Sequence, residues 1–432
     1  MKLQGILLAV SISVISASEG KVDTIHNPDY NPHGPSLYLN ALLKYNCEAK
    51  RPGAFSLNRL IHHLGRLKNN RRRRDAGNGL SPEEPEIQNV YYLNPLTIGQ
   101  GDTAQKFNLQ FDTGAPDLWV ISDQLPSVRT GNQSHTLYKA GETATSRQIP
   151  GQSWEYTYVN RDGVAGVGGN VYNDTISLGG VLVSNALVLA ANKISIDLAD
   201  NPADGILGLT FGQSMSEPQT FPTNINQIAN GTAFQLPLFT ALLTRSTETP
   251  GFFTFGYIND TVVPDRNITF TPVLENPNLP SVGFWTFASE FAVINGKRLN
   301  RTGNKAICDT ATSAILLDTS TTDAIYQTIP GAKFSNDSQG YIFPAANTQF
   351  PNVSLPAGNT EITLQSPKDF SLAPAVEDGF LFGSIQDGGG NLDILGVPWL
   401  NNVYAVFDFG VTGPRNNRFG VVQRPIPDFA RL

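Results

Sequence analysis

Two cysteines and five histidines are all that the 432 residues contain, and most of them fall in one stretch. Cys47, His26, His33, His62 and His63 precede residue 75, which leaves Cys308 and His135 to the remaining 358 residues. A cysteine–histidine nucleophile would need those two residues together, and a zinc site of the usual Cys/His kind lacks ligands. No metal and no cofactor is therefore expected. Long apolar runs are also scarce, and past the amino end none is long enough to cross a bilayer. Positive charge is thin after residue 74, where 18 Lys and Arg face 33 Asp and Glu, a formal net of -15. A surface this acidic repels phosphate, so nucleic acid is not an expected partner. Carboxylate chemistry is what remains.

The amino end has the opposite character. Met1-Lys2, the apolar-rich run Ile6–Val14 and the small residues Ser16–Ser18 read as a secretory signal peptide over 1–18. Residues 19–74 follow as a basic segment with helical stretches at Ser36–Tyr45 and Leu57–Lys68, closing on Arg71-Arg72-Arg73-Arg74. Next to the flexible Gly/Pro/acid-rich stretch after Asp75, the tetra-arginine reads as a cut site for a secretory-pathway processing protease. A cationic leader on an anionic body is electrostatically held, and acid weakens the hold as carboxylates protonate. Eight Asn-x-Ser/Thr sequons at Asn132, Asn173, Asn230, Asn259, Asn267, Asn300, Asn336 and Asn352 agree with a secretory, extracellular route; the expected address is the medium before vacuole or cell wall.

From residue 90 the pattern is strand-like. Val90–Ile98, Phe107–Phe111, Leu118–Ile121, Trp154–Val159, Asn170–Leu178 and Leu182–Ala190 are short apolar or alternating runs between turns, and the body is expected to be mostly β. Helices are expected only at Leu236–Leu243 and Thr321–Thr328. The body also repeats itself. Asp112-Thr113 follows an apolar strand and Asp204-Gly-Ile-Leu-Gly comes some ninety residues later; Asp309-Thr310 follows another and Asp393-Ile-Leu-Gly comes some eighty-five later. Two β lobes of one plan would bring their Asp-Thr turns to a shared interface.

Two carboxylates brought together there cannot both ionise easily and share a proton. The ionised member can take a proton from water while the protonated one polarises a carbonyl, which is peptide hydrolysis without His, Cys, Ser or metal. Gly114, Thr113, Thr310 and Thr312 would support the pair. The bland alternative is that Asp112 and Asp309 only cap turns, and a glycosidase would use two acids as well.

These residues resemble the pepsin-like aspartic endopeptidases of the secreted fungal type. The segment Phe111-Asp112-Thr113-Gly114-Ala115-Pro116-Asp117-Leu118-Trp119-Val120 is similar to the family's first active-site motif. Gly34 to Tyr45 resembles its propeptide, whose Lys-Tyr end lies over the aspartates. Asp204 to Phe211 and Asn391 to Gly396 resemble the strands that thread the active-site loops, and Asn402–Asp408 with Arg418–Arg424 the last strands. The resemblance implies an all-β bilobal fold with a central cleft, an amino-terminal lobe with a flap over 75–270 and a carboxyl-terminal lobe over 271–432. It implies hydrolysis of polypeptides, between bulky apolar residues at acidic pH, by water held between Asp112 and Asp309 in a monomer. Tyr158 would be the flap tyrosine and Trp119 its hydrogen-bonding partner.

The chain departs from that pattern in places. Ala311 stands where the family has glycine, so a methyl could clash or require an unfavourable φ; a weak or silent relative that binds peptide or protein in its cleft is the alternative this opens. Ala115 stands where a serine commonly supports the first aspartate. The body can form no internal disulfide, and Cys308 is expected as a buried free thiol.

Overall fold

Strand Gln105–Asp112 buries Phe107, Leu109 and Phe111 on one face and turns Lys106, Asn108 and Gln110 the other way, the period-two pattern of a half-buried strand. The computed structural model describes residues 18–27, 32–49, 92–126, 134–160, 163–199, 201–212, 217–218, 224–225, 234–265, 267–275, 282–390, 392–410 and 416–425. Among them strands dominate and helices are few. The expected strands are present as Tyr92–Ile98, Gln105–Asp112, Leu118–Ile121, Arg147–Asn160, Gly163–Leu178 and Val181–Ile194.

The repeat in the sequence is a repeat in topology. In a nine-stranded sheet, Gln105–Asp112 runs parallel to Gly205–Gly208, which is antiparallel to Leu118–Ile121, itself parallel to Val181–Ile194. In a five-stranded sheet, Lys305–Cys308 runs parallel to Leu392–Leu395, which is antiparallel to Ile315–Leu317, itself parallel to Ile385–Asp387. Each Ile-Leu-Gly strand thus threads between the strand entering an Asp-Thr turn and the strand leaving it. The closing glycines allow this passage. A Cβ on Gly208 would stand 2.3 Å from the Asp117 amide nitrogen, and one on Gly396 2.1 Å from the Thr312 carbonyl oxygen.

A six-stranded sheet joins the halves in the order Gly20–Asp23, Phe252–Phe255, Leu238–Leu242, Val403–Asp408, Arg418–Gln423, Thr269–Pro272. Its face carries stacked rings, Phe239 on Phe407 at 4.4 Å, with Trp285 edge-on to Phe407 at 5.2 Å. Here the expected helix Leu236–Leu243 is corrected: Leu238–Leu242 is a strand. A short apolar run has no period that separates a buried helix from a strand covered on both faces, and partners on both sides decided it. The other expected body helix forms as Thr319–Tyr326, its amino end capped by the Asp318 carboxylate accepting from the Thr321 amide at 2.9 Å.

Behind the sheet, a buried charge cluster ties the halves. Arg245 donates to both Asp369 oxygens at 2.9 and 2.8 Å and to Glu248 at 3.1 Å; Arg424 donates to the second Glu248 oxygen at 2.5 Å. Burial pushes Glu248 toward the neutral acid, but Arg424 and Arg245 outweigh it and hold the carboxyl below its ordinary range.

The leader is part of this architecture. Gly20–Asp23 is an edge strand paired with Phe252–Phe255, and Val22 enters the main core. Ile25–His26 pairs with Leu93 and Tyr92. The expected leader helix is present as Gly34–Lys44, with Pro35 in its first turn, where a missing N–H costs nothing. Two residues past its end, Asn46 has a φ of +50° that turns the chain so that the Cys47 amide reaches the Leu42 carbonyl at 2.8 Å. Tyr38, Ala41, Leu42 and Tyr45, spaced three and four apart, bury against Phe284, Leu372, Ala373 and Phe382 of the carboxyl-terminal half. The expected signal peptide, apart from Ser18, the second leader helix and Arg71–Arg74 lie outside the described residues.

Candidate active site

Asp112 ends one strand and Asp309 immediately follows another, and the two turns lock to each other. The Thr113 hydroxyl donates to the Cys308 carbonyl at 2.9 Å and accepts from the Thr310 amide at 3.0 Å. In mirror fashion the Thr310 hydroxyl donates to the Phe111 carbonyl at 2.7 Å and accepts from the Thr113 amide at 3.1 Å. Both threonines are buried. The duplicated Asp-Thr was the visible signal; that each hydroxyl reaches into the opposite turn was not.

The second residue after each aspartate does the same work twice. The Gly114 amide donates to Asp112 Oδ1 at 2.7 Å, and the Ala311 amide to Asp309 Oδ1 at 2.8 Å. Neither residue has a positive φ, so alanine at 311 meets no conformational penalty and the strain considered from the sequence does not arise. The positions are not equivalent in space. A Cβ on Gly114 would lie 2.2 Å from the Tyr45 hydroxyl and 2.6 Å from both Asp309 Oδ2 and Lys44 Nζ. The Ala311 methyl is half-buried.

The carboxylates converge on a single cation from the leader. Lys44 Nζ donates to Asp112 Oδ1 at 2.8 Å and Oδ2 at 3.0 Å, and to Asp309 Oδ2 at 2.8 Å. The Tyr45 hydroxyl adds a bond to Asp309 Oδ2 at 2.7 Å. Thr312 donates to the same oxygen, whereas Ala115 offers Asp112 no hydroxyl. The environments therefore diverge. Burial, reinforced by the Asp309 charge, raises the proton affinity of Asp112 even though Lys44 opposes it. At Asp309 burial also acts upward, but Lys44, Thr312 and Tyr45 outweigh it and hold the group below its ordinary value. Burial likewise opposes the Lys44 charge, and the two aspartates more than restore it.

Trp119 is buried on Leu118–Ile121, its ring 6.4 Å from Trp154, which meets Tyr156 edge-on at 5.8 Å. Tyr158 sits in the long hairpin of Arg147–Asn160 with Gly163–Leu178, opposite Ala165. Its side chain lies outside the described residues, and so does the expected bond to Trp119. The leader helix packs against this hairpin. Cys308 is a free, fully buried thiol, pushed well up by burial, and Cys47 is free and partly buried. Among the sequons, Asn267, Asn300, Asn336 and Asn352 are exposed and Asn173 and Asn259 half-buried; Asn132 and Asn230 lie outside the described residues.

A family model described as eukaryotic aspartyl protease matches residues 91–420. The chain belongs to that family. It is similar to Aspergillopepsin-1 of Aspergillus clavatus, 34% identical over 345 residues, 79% of this chain and 81% of that protein. It is similar also to Aspergillopepsin-1 of Aspergillus oryzae, 35% identical over 350 residues and 79% of each chain. Penicillopepsin-3 of Penicillium janthinellum is 33% identical over 383 residues, 88% of this chain and 86% of its own. The protein is thus a fungal-type, pepsin-like aspartic endopeptidase acting on polypeptides, and the silent-relative alternative is not favoured. Among the described residues no helix is long and apolar enough to cross a membrane.

Proposed function

We propose that this chain is a secreted acid endopeptidase made as a latent precursor, with residues 1–18 a signal peptide, 19–74 an inhibitory leader cut at Arg71–Arg74 by a processing protease, and two lobes over 75–270 and 271–432. Asp112 and Asp309 form the catalytic pair. The observation that carries this is the convergence of both carboxylates on one ammonium, Lys44 Nζ, at 2.8 Å each. Carboxylates that can share one ammonium can share one water once the leader leaves. The ionised aspartate takes the proton of that water as its oxygen attacks the peptide carbonyl. The protonated aspartate donates to the carbonyl oxygen, and the tetrahedral species collapses with proton transfer to the leaving nitrogen. No covalent enzyme intermediate is needed. The hairpin carrying Tyr158 would exclude water from the pair by closing over an extended substrate. Acid conditions suit a body of net -15, whose self-repulsion falls as carboxylates protonate. Preference for bulky apolar residues and action as a monomer complete the reading.

The test is turnover of a denatured protein substrate by the processed enzyme at acid pH. Cleavage blocked by a pepstatin-like transition-state inhibitor is expected; no turnover at any acid pH after complete leader removal would overturn the reading. Within the same assay Ala311→Gly is expected to change kcat/KM by less than about threefold, because residue 311 has an ordinary φ and its amide already holds Asp309. A rise of about a hundredfold would instead make the methyl an obstruction in the transition state.

A further inference from the structure

Four of the five histidines precede residue 75, and the fold builds His26 into the seam between leader and body. Its strand pairs with Tyr92, whose ring it meets edge-on at 5.6 Å, and its Nε2 faces the Thr244 hydroxyl at 3.2 Å. Tyr92 continues the contact inward, its hydroxyl donating to the Thr244 carbonyl at 2.7 Å and lying 3.0 Å from the Asn401 side-chain amide.

Among the described residues, the charged groups facing this imidazole are already matched. Glu248 is the nearby anion, and its two oxygens are taken by Arg245 and Arg424. Asp369, the next carboxylate inward, is held by Arg245 through both oxygens. Two guanidiniums therefore balance two carboxylates. On the leader's preceding strand, Asp23 is exposed and pairs with Lys21. An imidazolium added here would be a third cation beside a cluster with no spare carboxylate oxygen, partly out of water.

We propose that His26 is an acid sensor of the leader: as neutral imidazole it docks the leader's first strands on the body, and its protonation loosens them. Release of the leader is then set by a histidine as well as by the carboxylates under Lys44. This rests on the reading of residues 19–74 as a leader. Burial is the largest influence on His26 and lowers its proton affinity below the ordinary 6.5; the Ser246 backbone, the Glu248 charge and the Thr244 backbone act the other way and do not overcome it. A docked imidazole of lowered proton affinity gives docking strength that is complete above the ordinary value and is lost as pH falls through the lowered one. The strands at stake are structural. Gly20–Asp23 covers the edge of Phe252–Phe255, and Val22 fills core space beneath.

The experiment uses the full precursor, produced in a host without the processing protease and carrying Asp112→Asn, so that the leader is neither cut at Arg71–Arg74 nor removed by the enzyme itself. Hydrogen exchange is read at Phe252–Phe255 between pH 7 and 5 as protection factors, which divide out the pH dependence of the chemical rate. One proton taken up on opening changes the opening constant by at most about tenfold per pH unit. Protection is therefore expected to fall further with His26 present than in His26→Gln, by a factor of up to about tenfold. An equal fall in both precursors overturns the proposal. NMR titration of His26 in the intact precursor, which requires no folded variant, is expected to give a midpoint below that of an ordinary imidazole; a midpoint at or above it overturns the proposal as well. Neither readout depends on peptidase activity, so a failure of the catalytic reading and a failure of this one remain separate results.

Discussion

Replacing Asp309 by Asn is expected to lower kcat/KM of the processed enzyme about 10⁴-fold, some 5.5 kcal/mol of transition-state stabilisation, with little change in KM. An asparagine can still accept from the Ala311 amide through its oxygen, and the Thr312 hydroxyl, which faces the other position, can turn to accept from the asparagine nitrogen, so the turn keeps its shape. What it cannot do is hold a proton taken from water. Asp309 is the better candidate for that role because Thr312 donates to it and Ala115 leaves Asp112 without an equivalent donor. Asp112→Asn is expected to cost a similar factor by removing the proton that polarises the substrate carbonyl. Folding provides the control. Each substitution removes one of two buried, mutually repelling charges, so the thermal midpoint of the processed enzyme should hold or rise. A loss of turnover that tracks a loss of the folded state would contradict a chemical role for these carboxylates.

Removing the leader's cation should have the opposite visible effect. Lys44→Met leaves two buried carboxylates facing each other without a counter-ion, and breaking a buried ion pair in this way costs about 3–5 kcal/mol. The open fraction of the intact precursor is expected to rise about 10² to 5 × 10³-fold, read as hydrolysis of an internally quenched peptide, at the highest pH at which the processed enzyme still turns over, by precursor whose full mass is verified. Lys44→Arg keeps the charge and should stay closer to the parent. The pH dependence also has a defined sign. Lys44 lowers the proton affinity of both aspartates when docked, so docking is strongest with both ionised and weakens as pH falls through their range. In Lys44→Met that contribution disappears, and latency should lose the part of its acid sensitivity that the dyad supplies. A Lys44→Met precursor as silent as its parent at every pH would show that other contacts of the leader suffice.

Particular residues show what could be read in advance. The two Asp-Thr turns and the two Ile-Leu-Gly strands were legible because each needs a local pattern: an apolar strand, a tight turn, and a glycine where backbones nearly touch. The helix at Ser36–Tyr45 was legible as a helical stretch, and the fold begins it at Gly34, with Pro35 in its first turn. Leu238–Leu242 was misread because nothing within the run states that Phe252–Phe255 and Val403–Asp408 would flank it. Gly20–Asp23 was not identified as a strand at all. Only four residues long, it owes its conformation to an open sheet edge more than two hundred residues away. The Arg245–Asp369 pair spans 124 positions and leaves no local trace. Local chemistry was visible; partnership across the chain was not.

The reciprocal threonine bonds bear on how such a molecule could descend from a smaller one. Phe111 and Cys308 lend their carbonyls to the threonine of the other half, and Thr113 and Thr310 each borrow the other's amide. Neither half alone holds a finished turn. An ancestor with one such lobe would have met these needs only by pairing with a copy of itself, and fusion of two copies would make the pairing permanent. Once joined, the halves would be free to differ in their outer strands, as they do in Ala115 against Thr312 and in Gly114 against Ala311. The two hydroxyls at the centre are the terms on which they stay joined.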